Sequence, residues 1–514
     1  MANKGLFASA IAKLLPDTNA VNREGAPAYA LGAEAKLAQL AATGTLNDSF
    51  YATAETHLAE VLAAAKAVDP MFVARAAVYA RKAGAMKDMP ALLTAYLTVA
   101  EPDLAVRVFG RVIDNGRMLR TFVQIMRSGQ VGRTSLGTRP KRLVKGWLEQ
   151  ASMRDLMAAA TGNDPSLADI VRMVHPSPRD ETRRAFYGWL IGKPYDVAAL
   201  PVEIAAFEGW KHKPSGVLPS VPFQWLTAFP LTAEQWGELA GTMGWQALRM
   251  NLNTLARNGA FAVDGVTAAV AARLSDVEAL KKARVLPYQL MVALDSAGES
   301  VPLKVQAALE DALEASVSNV PMVSGSVVVC PDVSGSMASP ATGYRKGATS
   351  KVSCNQVAAL VAAAMLRTNR QARVLPFEQR VVKVKLDPFA RLVVNTAKLA
   401  TVGGGGTSVS APLAQLNAER ATVDLVVIVS DNESWVDARA GATATMREWD
   451  SIKRRNPRAK LVCVDIQPHG TTQASGRPEI LNVGGFSDAV FDTIARFASG
   501  DTRDWVSIVN ATEV

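Results

Sequence analysis

The sequence predicts a chain of two unlike parts, an all-α helical-repeat array over residues 1–320 and a doubly wound parallel α/β domain over 321–514. Three observations predict this. The first part is rich in Ala and Leu, keeps a helical period and has almost no β-branched runs. After Pro321, short apolar runs of buried-strand type alternate with amphipathic stretches, the pattern of βαβ units. The length, 514 residues, exceeds what one core normally serves at roughly 150 residues per domain.

In the first part, Leu58, Val61, Leu62 and Ala65 recur at helical spacing, as do Trp245, Leu248, Leu252 and Leu255. The steps Asp69-Pro70, Met89-Pro90, Glu101-Pro102, Asp164-Pro165 and His175-Pro176 disfavour helix at the residue before each proline and so punctuate the array. No fixed repeat period accompanies them. In the second part, Ser326–Pro331, Arg373–Phe377, Asp424–Val429 and Lys460–Asp465 read as strands. Ser353–Arg367 reads as a helix opened by Ser353 and Gln356 at capping-box spacing, and Met446–Arg455 as another.

Apolar residues make up 49% and charged residues 20%, which excludes general disorder. The longest uncharged apolar stretch, Val357–Leu366, is about half the length of a membrane span. The first residues lack an apolar signal core, and three cysteines (Cys330, Cys354, Cys463) give no disulfide framework, so a cytoplasmic protein without a membrane partner is expected.

Directly after the first α/β strand comes Asp332-Val333-Ser334-Gly335-Ser336. Two later segments lie at the same sheet edge: Gly403–Gly406 with Thr407, and Asp431 after the strand Asp424–Val429. Asp332, Ser334, Ser336, Thr407 and Asp431 supply hard oxygens of the kind that hold an octahedral Mg²⁺. The glycine run is not followed by Gly-Lys-Ser/Thr, Ser334 is not in a Gly-x-Ser-x-Gly elbow, and the four histidines are scattered. No general acid–base or nucleophile set is evident, so no catalytic residues are assigned.

The net charge of +9 is local. Between Arg107 and Lys145 stand ten basic residues, Arg107, Arg111, Arg117, Arg120, Arg127, Arg133, Arg139, Lys141, Arg142 and Lys145, against the single acid Asp114. The remainder of the chain is neutral. The stretch Gly129–Arg142 is glycine-rich and reads as a loop able to mould to a polyanion.

The Asp-x-Ser-x-Ser, Thr and Asp pattern resembles the metal-ion-dependent adhesion site of von Willebrand factor A domains. Asp169–Pro176, Trp245–Asn258 and Lys282–Tyr288, with Ser430–Trp435 and Gly485-Phe486, resemble the Ro autoantigen family, of bacterial type, across nearly the whole chain. That resemblance implies a HEAT-like helical ring, the TROVE domain, followed by a von Willebrand A domain. It implies Mg²⁺ or another divalent cation at the five residues above. It also implies binding of Y RNA and of the single-stranded ends of misfolded or precursor noncoding RNA. The role implied is a monomeric ribonucleoprotein scaffold in RNA quality control that works beside an exoribonuclease such as polynucleotide phosphorylase. Arg172 and His175 match the family's RNA-contacting Arg and His, while Ala168 stands where the family carries Lys. The competing expectation is a metal-dependent protein-binding adaptor that uses the A domain without RNA.

Overall fold

The computed structural model describes residues 15–43, 46–283, 285, 287–317, 320, 322–341, 343–344, 352–436, 442–484, 488–500 and 504–514. Arg284, Leu286, Gly485 and Phe486, which contribute to the family resemblance, and Pro321, at the expected boundary, lie outside the described residues.

The chain forms two compact units. One comprises Asp69–Val285, Ala293–Ala312 and Glu513–Val514; the other comprises Met1–Val68, Leu286–Val292 and Leu313–Thr512. Compactness therefore does not follow chain order, since the first 68 residues share a unit with the C-terminal region.

The first unit is helical. Prolines mark helix starts more often than ends: Pro70 and Pro102 occupy the first helical position of Pro70–Lys82 and Pro102–Val112, where the missing N–H is no loss. Pro90 sits in the first turn of Asp88–Ala100. The stripe Trp245, Leu248, Leu252 and Leu255 is buried as its spacing predicts, but it spans two short helices, Trp245–Met250 and Leu252–Arg257. One expectation is corrected here. Residues 138–142 are not loop but the first turn of the helix Thr138–Gln150, with Pro140 buried in that turn. Proline is tolerated in a first turn because no intrahelical bond is lost there.

The second unit departs from an all-α reading of the N-terminal region. β1 (Ala20–Val21) and β2 (Pro27–Ala30) pair antiparallel around a turn in which Gly25 has φ +74°. These pieces are too short for periodicity to reveal. The main sheet contains β3 (Val327–Pro331), β4 (Arg373–Val374), β5 (Leu425–Ser430) and β6 (Lys460–Asp465); β7 (Thr471–Thr472) pairs instead with β2. A fifth strand of the main sheet, β8 (Ile480–Gly484), has no counterpart in the sequence reading. The order is β4-β3-β5-β6-β8, all parallel.

β3 and β5 are buried along their whole length, as unbroken Val/Ile runs in a parallel sheet should be. The helix Cys354–Thr368 is capped by the reciprocal Ser353–Gln356 bonds, and Val357–Leu366 is buried throughout. Trp449, fully buried, anchors the core with Phe377, Met446 and Ile428. Burying such a side chain is worth about 1.5–3 kcal/mol. From β3 the chain moves to β4 on one side and then returns past β3 to β5 on the other. Strand order thus reverses between β3 and β5, and the crevice at their carboxyl ends is where ligands of such sheets sit. Among the described residues no helix is long and apolar enough to cross a membrane.

Candidate functional site

Asp332 follows β3 immediately. Its N–H continues the sheet pattern by donating to the Val429 carbonyl at 2.9 Å, which fixes the carboxylate at the reversal point. Its Oδ1 accepts the Ser334 N–H at 2.8 Å and its Oδ2 accepts the Ser430 hydroxyl at 2.6 Å. The Ser336 hydroxyl donates to Asp431 Oδ2 at 2.6 Å and lies 3.3 Å from the Ser334 hydroxyl.

The glycine run reaches this cluster through its backbone. Gly335 N–H donates to the Gly405 carbonyl at 2.9 Å and Gly404 N–H to the Val333 carbonyl at 2.8 Å. Gly403 has φ +88°, and a Cβ there would stand 2.2 Å from the Val333 carbonyl oxygen. Thr407 is tied to the segment after Asp431, since its carbonyl accepts the Trp435 and Val436 N–H groups at 3.1 and 3.2 Å. All five residues are closed from solvent: Ser336 is 9% exposed, and Asp332, Ser334, Thr407 and Asp431 are at most 3%.

The electrostatics are one-sided. Burial, and then the negative charge of Asp431, pushes the Asp332 carboxyl up to about 7. Burial likewise raises Asp431, and it brings Glu433 up to about 7. Asp465, which ends β6 in register with Ser430, is raised well above the carboxylate range by burial and by Asp431 and Glu433. Arg23 meets only the edge of this group, its backbone N–H donating to Glu433 Oε2 at 2.8 Å while its guanidinium pairs with Glu60 at 2.8 Å. His469 is held neutral by burial, with Nε2 3.9 Å from Glu433 Oε1. Tyr51 sets its ring edge-on to His469 at 5.8 Å; burial and the Asp431 charge raise its phenol.

Sequence reasoning missed Ser430, Glu433, Asp465, His469 and Tyr51. Asp465 carried a usable signal, an acid at the end of a third parallel strand. Tyr51 carried none, because it comes from a segment nearly 300 residues upstream. Among the described residues no cluster of three or more His, Cys, Asp or Glu side chains has the arrangement to hold a metal ion. Any cation here would rest on two carboxylates and hydroxyls.

The basic stretch lies in the helical unit. Of its ten cations, Arg107, Arg111, Arg117, Arg127, Arg139, Lys141 and Arg142 are exposed, while Arg120, Arg133 and Lys145 are half-buried. Arg120 is spent internally, donating to the Ala159 carbonyl, and Arg133 reaches the Thr98 carbonyl at 3.3 Å. Arg139 pairs with Asp103 at 3.2 Å and Arg111 with Glu513 at 3.8 Å. These are exposed pairs, worth at most about 1 kcal/mol and easily exchanged for another anion.

The helix Leu167–Val174 packs against both Gly116–Arg127 and Thr138–Gln150. Arg172, in its last turn, and His175, its left-handed cap at φ +51°, are therefore brought to the same group of helices, both exposed. Arg172 also bonds the Ile191 carbonyl at 3.1 Å and Asp169 at 3.5 Å. Trp189 and Trp225 pack on each other with centroids 5.5 Å apart, within a cluster that includes Phe207, as packing residues rather than a free stacking surface.

Comparison with known proteins agrees with this architecture. Residues 326–498 match the Ro60 vWA domain family. The chain is 26% identical to the RNA-binding protein RO60 of Deinococcus radiodurans, over 93% of this chain and 95% of that protein. The crystal structure of the Deinococcus radiodurans RO (RSR) protein superposes with a TM-score of 0.62 at 25% identity, covering 91% of this chain and all of that one. A helix-rich N-terminal region joined to a parallel-sheet von Willebrand A domain of Ro60 type is thus an architecture that this chain shares, over nearly its whole length, with the bacterial-type Ro protein of Deinococcus radiodurans.

Proposed function

We propose that this chain binds RNA without catalysing a reaction, and that the face formed by the Arg107–Lys145 helices with Arg172 and His175 is where it does so. The observation that carries the reading is the distribution of charge: seven exposed cations lie within a stretch that contains one acid. The name of the Deinococcus relative, an RNA-binding protein, supports it. Arginine dominates the stretch, and its planar fork suits phosphate oxygens. Such contacts hold a backbone without reading its bases. The ligand we assign is a structured Y RNA, which proteins recognise largely by shape and backbone, with the single-stranded ends of misfolded or precursor RNAs as further ligands. The role that follows is a cytoplasmic ribonucleoprotein scaffold, monomeric in protein, that presents RNA to an exoribonuclease such as polynucleotide phosphorylase.

The carboxylate–hydroxyl centre fits a divalent cation. Asp332 and Asp431 are buried together, among the described residues no cationic side chain bonds either, and burial raises each carboxyl. Asp332, Ser334, Ser336, Thr407 and Asp431 would hold Mg²⁺, which when bound supplies the missing positive charge. Because these donors are closed from solvent, we assign the ion a structural role and not direct gripping of a partner's carboxylate. One Ser–His contact among the described residues, Ser49 to His57 at 2.9 Å, belongs to a buried turn in which Ser49 also bonds Ala52.

A salt titration tests the RNA reading. If about six phosphates are contacted, affinity for a structured RNA is expected to fall 10³-fold or more between 50 and 200 mM salt. Affinity that is independent of salt, or no RNA binding, would contradict it.

A further inference from the structure

The neutrality of the chain outside Arg107–Lys145 is an average over unequal regions. Between Arg367 and Lys398, in the von Willebrand A domain, stand eight basic residues against the two acids Glu378 and Asp387. Two of the eight are committed: Arg367 to Glu314 at 3.7 Å, and Arg373 to Glu419 at 2.8 Å. Arg370, Arg380, Lys383, Lys385 and Lys398 are exposed and have no ion-pair partner among the described residues. Glu378 is turned inward, accepting the Gly405 N–H at 2.9 Å, so Asp387 is the one acid facing the group from its own segment.

The backbone makes a strip of them. β4 is an edge strand, and its pairing with β3 extends to Phe377. A tight turn at 378–380 follows, closed by Glu378 N–H to the Arg380 carbonyl at 3.0 Å. The chain then doubles back, Val381 bridging to Phe377 and Val382 donating to the Pro376 carbonyl at 2.7 Å. The returning segment is extended, and exposure alternates along it: Lys383, Lys385 and Asp387 point out while Val384 and Leu386 are half-covered. Side chains two apart on an extended segment repeat about every 6–7 Å, close to the spacing of phosphates along a stretched single strand. At its end Phe389, 65% exposed, carries the Arg370 guanidinium over its ring at 4.8 Å. Arg367 fixes that position by bonding the Phe389 carbonyl at 2.9 Å.

The ordinary reason for lysines on a sheet edge is to stop edge-to-edge pairing. That reason accounts for one or two lysines. It does not account for a large exposed phenyl ring left beside them, stacked with an arginine. Cations in a row beside an aromatic face are the elements of a surface for a single strand, phosphates on the lysines and a base on the ring. We propose that the strip Arg380–Phe389 with Arg370 is a second RNA-binding surface, specific for single-stranded RNA and separate from the basic helical face. The proposal rests on the RNA-binding reading above.

The test uses the full chain and a fluorescein-labelled ten-nucleotide oligouridine. Binding is measured against salt in wild type, in Arg139→Glu/Lys141→Glu/Arg142→Glu, in Arg380→Glu/Lys383→Glu/Lys385→Glu and in Phe389→Ala, with circular dichroism as the check on folding. The strip reversal is expected to weaken binding at least 10-fold and to lower the salt slope by about 2, for three phosphates at about 0.7 each. Phe389→Ala is expected to lose about 10-fold with the slope unchanged, since stacking carries no counterion release. Both losses should persist in the background of the helical-face reversal. If wild type binds the oligomer and neither strip variant changes affinity or slope, the second surface is overturned while the RNA reading stands. If wild type binds neither oligomer nor structured RNA, both fall. Preference of the strip for a polyglutamate peptide over RNA would overturn it in favour of an acidic protein partner.

Discussion

Gly403 leaves the centre no choice of residue. With φ at +88° and the Val333 carbonyl oxygen 2.2 Å from where a Cβ would stand, any side chain must push the two loops apart. Gly403→Ala is expected to destabilise by about 2–4 kcal/mol, read as a lower urea midpoint at unchanged slope. Asp332→Ala tests the centre differently. Mg²⁺ is expected to raise the melting temperature of wild type and to leave that of the variant where it was; an equal rise in both would remove these residues as ligands. His57 gives a pH test. It is buried, and burial followed by the Arg23 charge lowers its pKa, so the unfolded chain binds the proton more tightly. Its contribution is present above the unfolded value, about 6.5, and is lost as pH falls below it. The stability advantage of wild type over His57→Gln should therefore shrink between pH 7 and pH 5, and an advantage constant with pH would contradict the burial argument.

Elements were legible where one local rule sufficed. The helix Cys354–Thr368 announces itself through Ser353 and Gln356, and the structure shows both halves of the capping box. Removing it by Ser353→Ala is expected to cost about 1 kcal/mol in a thermal melt. The buried strands β3, β5 and β6 were legible because parallel strands covered on both faces need unbroken apolar runs. β8 was not, since Asn482 interrupts its run and the pairing to β6 that makes it a strand is long-range. The start of Thr138–Gln150 was misread because Thr-Arg-Pro-Lys-Arg has the composition of a loop, and only the position of Pro140 in the first turn reconciles it with a helix. The carboxylate–hydroxyl centre was legible in its five polar residues but not in its closure, because burial by Tyr51 and by the loop around Glu433 is a tertiary fact.

At the scale of the whole molecule, charge is what the sequence made visible, and the structure decided which charges are free. Ten cations in one stretch became seven exposed ones, with Arg120 and Arg133 drawn into carbonyl contacts. Arg172 and His175, separate in sequence, joined the same helices through the packing of Leu167–Val174. The excess between Arg367 and Lys398 escaped notice because acids elsewhere cancel it in any global count. The central claim is that exposed cations on the helical face bind RNA. Its most direct test is filter binding of a structured RNA to wild type and to Arg139→Glu/Lys141→Glu/Arg142→Glu, three exposed positions in the first turns of one helix. Affinity is expected to fall at least 100-fold at 100 mM salt, with a salt slope shallower by about 2–3 and an unchanged melting temperature. Equal affinity in the two proteins would contradict the account.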